Sequence, residues 1–228
     1  MIERYALFDT TLVKKRFGTA NTILGNFKKR YNVRPTQNMP VIVWRDGQRK
    51  IEFKTWGLVP QNARDQNGVF RYKTYSVSEE DVFKKNSTEK IVRTQRCIVP
   101  VNGFYLWPTG SGDAQPRFVH LADYAPTGLA GIYSSWVTPD GVEQGTFAIL
   151  TVESSGSLAA IGERAPVILE QTDETPWLDP TLTNMTTVYN ATKPYAGNDL
   201  HIDIVSADIN GKKIDTPHLI KAIDSAPH

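Results

Sequence analysis

Residues that commonly carry chemistry are few in this chain, and their settings argue against the obvious reactions. There is one cysteine, Cys97, and four histidines, His120, His201, His218 and His228. A thiol becomes nucleophilic where an accessible, electropositive setting lowers its pKa. Cys97 sits instead in "RCIVPV", which suits an inert core thiol. Metal-binding histidines come in pairs at short spacing with further ligands. These four are scattered, and His120 and His201 lie in strand-like runs where packing or surface placement outweighs ligation. Neither G-x-G-x-x-G nor a P-loop is present. Nothing resembles a nucleophile elbow, although sequence alone leaves a dispersed Ser-His-Asp triad open. No metal and no cofactor is expected.

Positive charge is the other chemical resource. The net charge is only +2, but residues 1–54 hold twelve Lys or Arg against four Asp or Glu. Two triplets, Lys14-Lys15-Arg16 and Lys28-Lys29-Arg30, supply half of those cations. Such clusters fit a solvated face beside a short helix, and they fit a phosphate-binding face equally well.

The elements that must position these residues are mostly strands. Asp9 or Thr10 can cap a short helix to Arg16 or Phe17, with Gly18 as its stop. Residues 31–40 read as extended and proline-punctuated. "VIVWR" and "QRKIEFKTW" flank Asp46-Gly47, a favoured hairpin turn. Residues 60–72 are polar and turn-rich. Val82, Phe83, Ile91 and Val92 suggest one helix over Glu79 to Thr94. "RCIVPVNGFYLW" gives two strands broken at Asn102-Gly103. "RFVHLADY", "GLAGIYSSWV" and "GTFAILTV" follow, with turns at 110–112, Pro126-Gly128 and Asp140-Gly141. Ser154 to Ile161, Thr175 to Leu178 and Pro180 to Thr183 suit short helical turns. "APVIL", "MTTVYNAT" and "LHIDIVS" read as strands, and Pro217 to Ile223 as a last helical turn. Strands do not alternate with helices, no repeat is visible, and no linker divides the chain. The expected fold is α+β: one compact domain over 1–228, with a curved, mostly antiparallel, barrel-like sheet and short flanking helices.

Bulk composition agrees. At 228 residues, 40% hydrophobic and 22% charged, the chain has an ordinary globular make-up. No apolar run approaches the roughly 18 residues of a membrane span. Glu3 and Arg4 interrupt the first apolar stretch, which excludes a signal peptide. A single cysteine fits a reducing compartment. These features point to the cytoplasm.

Seven segments, taken in order, carry a resemblance. They are "RYALF", "RYNVRPTQNMPVI", "WGLVP", "RCIVPVNGFYLW", "LAGIYSSW", "FAILTVESS" and "IGERAPVIL". Together they span nearly the whole chain and resemble the SOS-response-associated peptidase family, the abasic-site processing proteins. The resemblance implies one α+β domain with a basic groove for single-stranded DNA. It also implies a cysteine at position two, whose amine and thiol both trap the aldehyde of an abasic site as a thiazolidine. An amine and a thiolate on one residue can attack an aldehyde twice.

Carried over by position, that chemistry is missing. The family's "MCGRY" aligns with "MIERY", so Ile2 replaces the cysteine and Arg4 is kept. "NARSETVF" aligns with "SVSEEDVF", so Ser76 and Ser78 replace an asparagine and an arginine while Glu80 persists. "GFYEW" becomes "GFYLW", with Leu106 in place of the acid. "HDRMP" becomes "GERAP", so Gly162 replaces the histidine and Arg164 is kept. Ile2 also disfavours removal of Met1, because methionine aminopeptidases require a small second residue. No catalytic group of the family is intact, and enzyme activity stays open.

The resemblance nominates Arg4, Thr36, Asn38, Trp56, Ser78 and Arg164 for DNA binding. Arg4 and Arg164 would contact phosphate, or form ion pairs with Glu3, Glu80 or Glu163. Trp56 would stack on a base, or pack in the core. Thr36 and Asn38 would donate to phosphate, or cap their turn. Gly57 and Gly103 read as backbone devices for a bulge or turn. Three functions follow: a non-covalent binder of single-stranded or abasic DNA; a weaker enzyme forming a Schiff base through the Met1 α-amine; or a scaffold turned to a protein or small molecule.

Overall fold

A computed structural model describes residues 2–22, 25, 27–59, 73–109, 115–138, 140–182, 184–195, 198–211 and 213–223. The polar stretch 60–72 and the turn at 110–112 lie outside these residues. In chain order the elements are β1 (Tyr5–Leu7), α1 (Thr11–Phe17), β2 (Arg30–Val33), β3 (Asn38–Arg45), β4 (Gln48–Trp56) and β5 (Ser76–Ser78). Then come α2 (Glu79–Val82), α3 (Asn86–Thr94), β6 (Arg96–Val101), β7 (Gly103–Leu106), β8 (Arg117–Leu121), β9 (Thr127–Val137) and β10 (Glu143–Glu153). The last are α4 (Gly156–Ala159), β11 (Arg164–Pro166), β12 (Ile168–Leu169), α5 (Gln171–Leu178), α6 (Met185–Asn190) and β13 (Leu200–Ile204).

Five strands close on themselves. β10 pairs β4, then β3, β6 and β9 follow, and β9 returns to β10. Of these joins only β10 with β4 is parallel, Phe147 opposite Trp56; the rest are antiparallel. This is the barrel-like, mostly antiparallel core that the strand pattern predicts. β5, β11 and β12 attach to it, and a second, open sheet runs β13-β8-β7-β1-β2.

Asn102 sends the chain from one sheet to the other. It is fully buried between β6 and β7. Its Oδ1 accepts from the Phe8 and Asp9 amides at 2.8 and 3.0 Å, and its Nδ2 donates to Tyr124 O at 2.8 Å. Gly103 follows because a Cβ there would lie 2.4 Å from Phe118 Cζ and 2.7 Å from Val119 O. The other face of the open sheet is covered by the carboxyl-terminal segment. Asp215 clasps β2, accepting from the amides of Tyr31 (2.5 Å) and Asn32 (2.9 Å) and from Arg30 Nε (2.6 Å).

Local signals held where local geometry decides. Asp46 and Gly47 both take positive φ, 51° and 76°, as a two-residue hairpin requires. Gly18 ends α1 in the left-handed region. Four expectations change. The single helix over Glu79 to Thr94 is two helices. Val82 and Ile91 are nine residues apart, which at about 100° per residue sets them on opposite faces of one helix; the break lets both pack inward. "MTTVYNAT" is helical, because Asn184 caps it through Thr186 N at 3.0 Å. "APVIL" is split: β11 pairs β10 and β12 pairs β9. Gly128 stands inside β9 rather than in a turn, and a Cβ there would meet Ile98 Cγ2 at 2.7 Å.

Candidate functional site

The nominated residues converge where β1, β2 and β5 meet the ends of β7 and β11. Ile2 is fully buried in the main core, as is Leu106 at the end of β7. Tyr105 N donates to Arg4 O at 3.1 Å, which ties the first residues to β7. Beyond β7, Thr109 N donates to Ile161 O at 3.0 Å, bringing Gly162 alongside. A Cβ on Gly162 would have its nearest neighbours at 3.8 Å, Thr109 Oγ1 and Trp107 O. That position has room for a side chain and holds none. Of the four positions that the family resemblance assigns to catalysis, Ile2 and Leu106 are buried hydrocarbon, Ser76 lies in β5, and Gly162 is bare.

The cations around this centre differ in how they are held. Arg4 is half-buried; its Nη1 donates to Glu3 O at 2.8 Å and its buried Nε has no partner. Burial pushes its pKa down, Glu3 opposes that, and Arg34 adds to the depression. The β1–β2 register explains the neighbour. Tyr5 lies opposite Val33, so the next step outward sets Arg4 against Arg34. Neither arginine forms an ion pair with a described residue. The Glu3 carboxylate instead accepts from Tyr75 Oη at 2.9 Å. Burial raises the Tyr75 pKa first, and that bond raises it further.

Arg164 is spoken for. Its Nη1 and Nη2 donate to Glu80 Oε1 and Oε2 at 3.0 and 2.8 Å, and Nη2 also donates to Thr151 O at 2.7 Å. Of the two readings open to it, the ion pair is the arrangement present. Ser78 caps α2, accepting from Asp81 N at 3.1 Å, and Ser76 lies in β5 opposite Ile149.

Trp56 corrects an expectation. It is fully buried, its Nε1 donates to Tyr75 O at 2.8 Å, and its rings pack on Tyr5 and Phe147. No face is left for a base, so it supports the site from beneath. Thr36 stands exposed on the turn after Arg34, and Asn38 stands exposed as the first residue of β3. Thr36 has φ 73°, an uncommon conformation for a β-branched residue. Two bonds impose it: Thr36 N to Trp56 O at 2.7 Å and Trp56 N to Gln37 O at 2.9 Å. Gly57, at φ 130°, follows in a region open to glycine.

Arg34 and Tyr75 enter the site without having been singled out for a role at it, and Glu3, named as an ion-pair candidate, accepts from Tyr75 instead. Arg34 lies in the quoted "RPTQN", but its place against Arg4 depends on strand register. Cys97 is buried and its thiol pKa is pushed up to about 12 by burial. Among the described residues no three His, Cys, Asp or Glu side chains are placed to hold a metal, and no helix is long and apolar enough to cross a membrane.

Comparison with known proteins agrees with this fold. A protein of Bacteroides thetaiotaomicron shares the fold with a TM-score of 0.85 at 23% identity, covering 96% of this chain and 99% of that one. The abasic site processing protein YoqW of Bacillus subtilis is 30% identical over 199 residues, 87% of this chain and 88% of the relative. The abasic site processing protein HMCES of Gallus gallus is 26% identical over 88% of this chain and 68% of its own. The profile of the SOS response associated peptidase (SRAP) family matches residues 1–212. With that match over most of its length, the chain belongs to the SOS response associated peptidase family.

Proposed function

We propose that the chain binds single-stranded DNA at abasic sites without forming a covalent adduct. The pairing of Arg4 with Arg34 carries this reading. Two guanidiniums side by side repel, and a phosphate between them turns that repulsion into charge-assisted hydrogen bonding. Thr36, exposed on the turn after Arg34, and Asn38, exposed at the start of β3, add a hydroxyl and an amide to the same rim. The names of the relatives support abasic DNA as the ligand. The aldehyde-trapping chemistry that the family resemblance implies requires a thiol and proton-transfer groups, and Ile2, Leu106 and Gly162 supply none.

The test is a polarisation titration with intact and abasic single strands, joined to a borohydride trap. The expected result is binding that weakens steeply with salt, since released counterions dominate phosphate contacts. No adduct should survive a denaturing gel, with or without borohydride. A borohydride-dependent adduct that persists in Cys97→Ser would assign Schiff-base chemistry to the Met1 α-amine instead. Absence of binding would overturn the reading and leave the repurposed scaffold.

A further inference from the structure

A second basic surface lies outside this site. The end of α1 meets the β3–β4 hairpin at a shallow cleft of about 510 Å³, lined by Lys15, Arg16, Trp44, Gln48, Arg49 and Thr175. Trp44 and Arg49 are cross-strand partners. Beneath them is Glu174, whose side chain is only 2% exposed. Arg49 Nη1 donates to Glu174 Oε2 and to Phe17 O, each at 3.0 Å, and Nη2 donates to Thr175 Oγ1 at 2.7 Å. Arg16 Nη2 lies 2.8 Å from Glu174 Oε1 but out of line for a hydrogen bond, so charge alone holds that contact. The Arg16 guanidinium also lies 4.5 Å from the Phe17 ring centroid.

One buried carboxylate therefore fixes two guanidiniums and leaves the trio positive. Lys14 and Lys15 are exposed and form no ion pair with a described residue. Positive charge in the last turn of α1 offsets its dipole. That role gives no reason for a half-buried tryptophan and a pinned arginine to stand beside it. We propose that this cleft is a second seat for single-stranded nucleic acid, with backbone phosphates on Lys14, Lys15 and Arg16 and one base against Trp44. The proposal rests on the DNA-binding reading and lengthens its footprint to a surface that the nominated site residues do not touch.

The experiment titrates a labelled single strand of about 20 nucleotides, enough to span two contact regions, into five proteins. These are the native chain, Lys14→Glu/Lys15→Glu, Trp44→Leu, Arg4→Ala/Arg34→Ala, and the charge-matched control Lys84→Glu/Lys90→Glu, whose lysines are also exposed. Thermal melts establish that each is folded. Losing two contacts should flatten the slope of log K against log salt by about 1.4, at roughly 0.7 per phosphate on a single strand. Affinity should fall by about tenfold or more at low salt, well beyond the control. Trp44→Leu should weaken binding by about fivefold or more and leave the slope unchanged. Equal losses in the two charge-reversed pairs would overturn the proposal, as would an unchanged slope. Poly-glutamate competing as well as DNA would do the same, in favour of an acidic protein partner. If Arg4→Ala/Arg34→Ala loses binding and the lysine pair does not, this inference falls alone. If the native chain binds no DNA, both readings fall.

Discussion

Arg164 and Glu80 meet as a two-point fork, Nη1 to Oε1 at 3.0 Å and Nη2 to Oε2 at 2.8 Å, across 84 positions of sequence. The bond from Arg164 holds the Glu80 carboxyl down at about 2, from an ordinary 4.5. The arginine that the family resemblance singles out is therefore held in an ion pair. Arg4 and Arg34 form no such ion pair with a described residue.

Glu80→Gln tests that division. A carboxyl whose folded pKa is depressed stabilises the fold above its unfolded pKa, and loses that contribution as pH falls through the folded value. The variant should be less stable at neutral pH, and the difference should shrink from about pH 4.5 and close near pH 2. Glu80 is 46% exposed, so screening limits the effect to about 1 kcal/mol, or about 2–4 °C in Tm. DNA affinity should move the other way: a freed Arg164 adds one phosphate contact and steepens the salt slope by about 0.7. Unchanged affinity would confine Arg164 to a structural part.

Thr36→Gly should separate strain from binding. A non-glycine residue in the left-handed region costs roughly 1–2 kcal/mol, of which glycine's extra unfolded-state entropy returns about half. The variant should melt slightly higher than the native chain. It also removes a hydroxyl from the rim of the site, so DNA affinity should drop. Stability and affinity moving in opposite directions would mark strain kept for function. A fall in both would make the hydroxyl a turn-forming group.

Arg96 tests the barrel. Its side chain is buried at the start of β6 and donates to four carbonyls: Val92, Arg93, Trp177 and Asp179. It thus closes the ends of α3 and α5 together. Burial lowers its pKa to about 10. Arg96→Met leaves those acceptors without this donor in a dry setting and should cost about 3–5 kcal/mol in urea unfolding. Arg96→Lys keeps the charge but cannot reach four acceptors, and should recover only part of the loss.

The sequence is legible where a few adjacent residues decide the backbone. Asp46-Gly47 announces a turn, Gly18 a helix stop and Asn102-Gly103 a break between strands, and each is there. The strand pattern foretells a barrel-like sheet but not the parallel join that closes it, because Phe147 and Trp56 lie on segments about 90 residues apart that must find one another. The site divides similarly. Ile2, Leu106, Gly162, Arg4 and Arg164 are found by ordered motifs. Arg34's role is hidden in strand register, and Tyr75 needs the fold to reach Glu3. Trp56 misleads because a tryptophan in a strand has the same spelling whether its ring faces a base or Phe147.

Building in the thiol chemistry that the family resemblance implies should require several substitutions together. Ile2→Cys alone supplies a thiol and, by making the second residue small, permits removal of Met1. That thiol would stand in the fully buried place of Ile2, where desolvation disfavours the thiolate, as burial does at Cys97. No proton-transfer group would stand at positions 106 or 162. The single variant should therefore give no gel-stable adduct on abasic single strands. Leu106→Glu adds a carboxyl at the end of β7, and Gly162→His adds an imidazole where the nearest atoms leave 3.8 Å around a new Cβ. General acid–base groups contribute typically 10²–10⁴-fold in rate. The triple variant should yield an adduct on abasic DNA and none on intact DNA. An adduct from Ile2→Cys alone would mean that the apolar fill at Leu106 and the bare Gly162 are no barrier, and that a single side chain separates this protein from covalent chemistry.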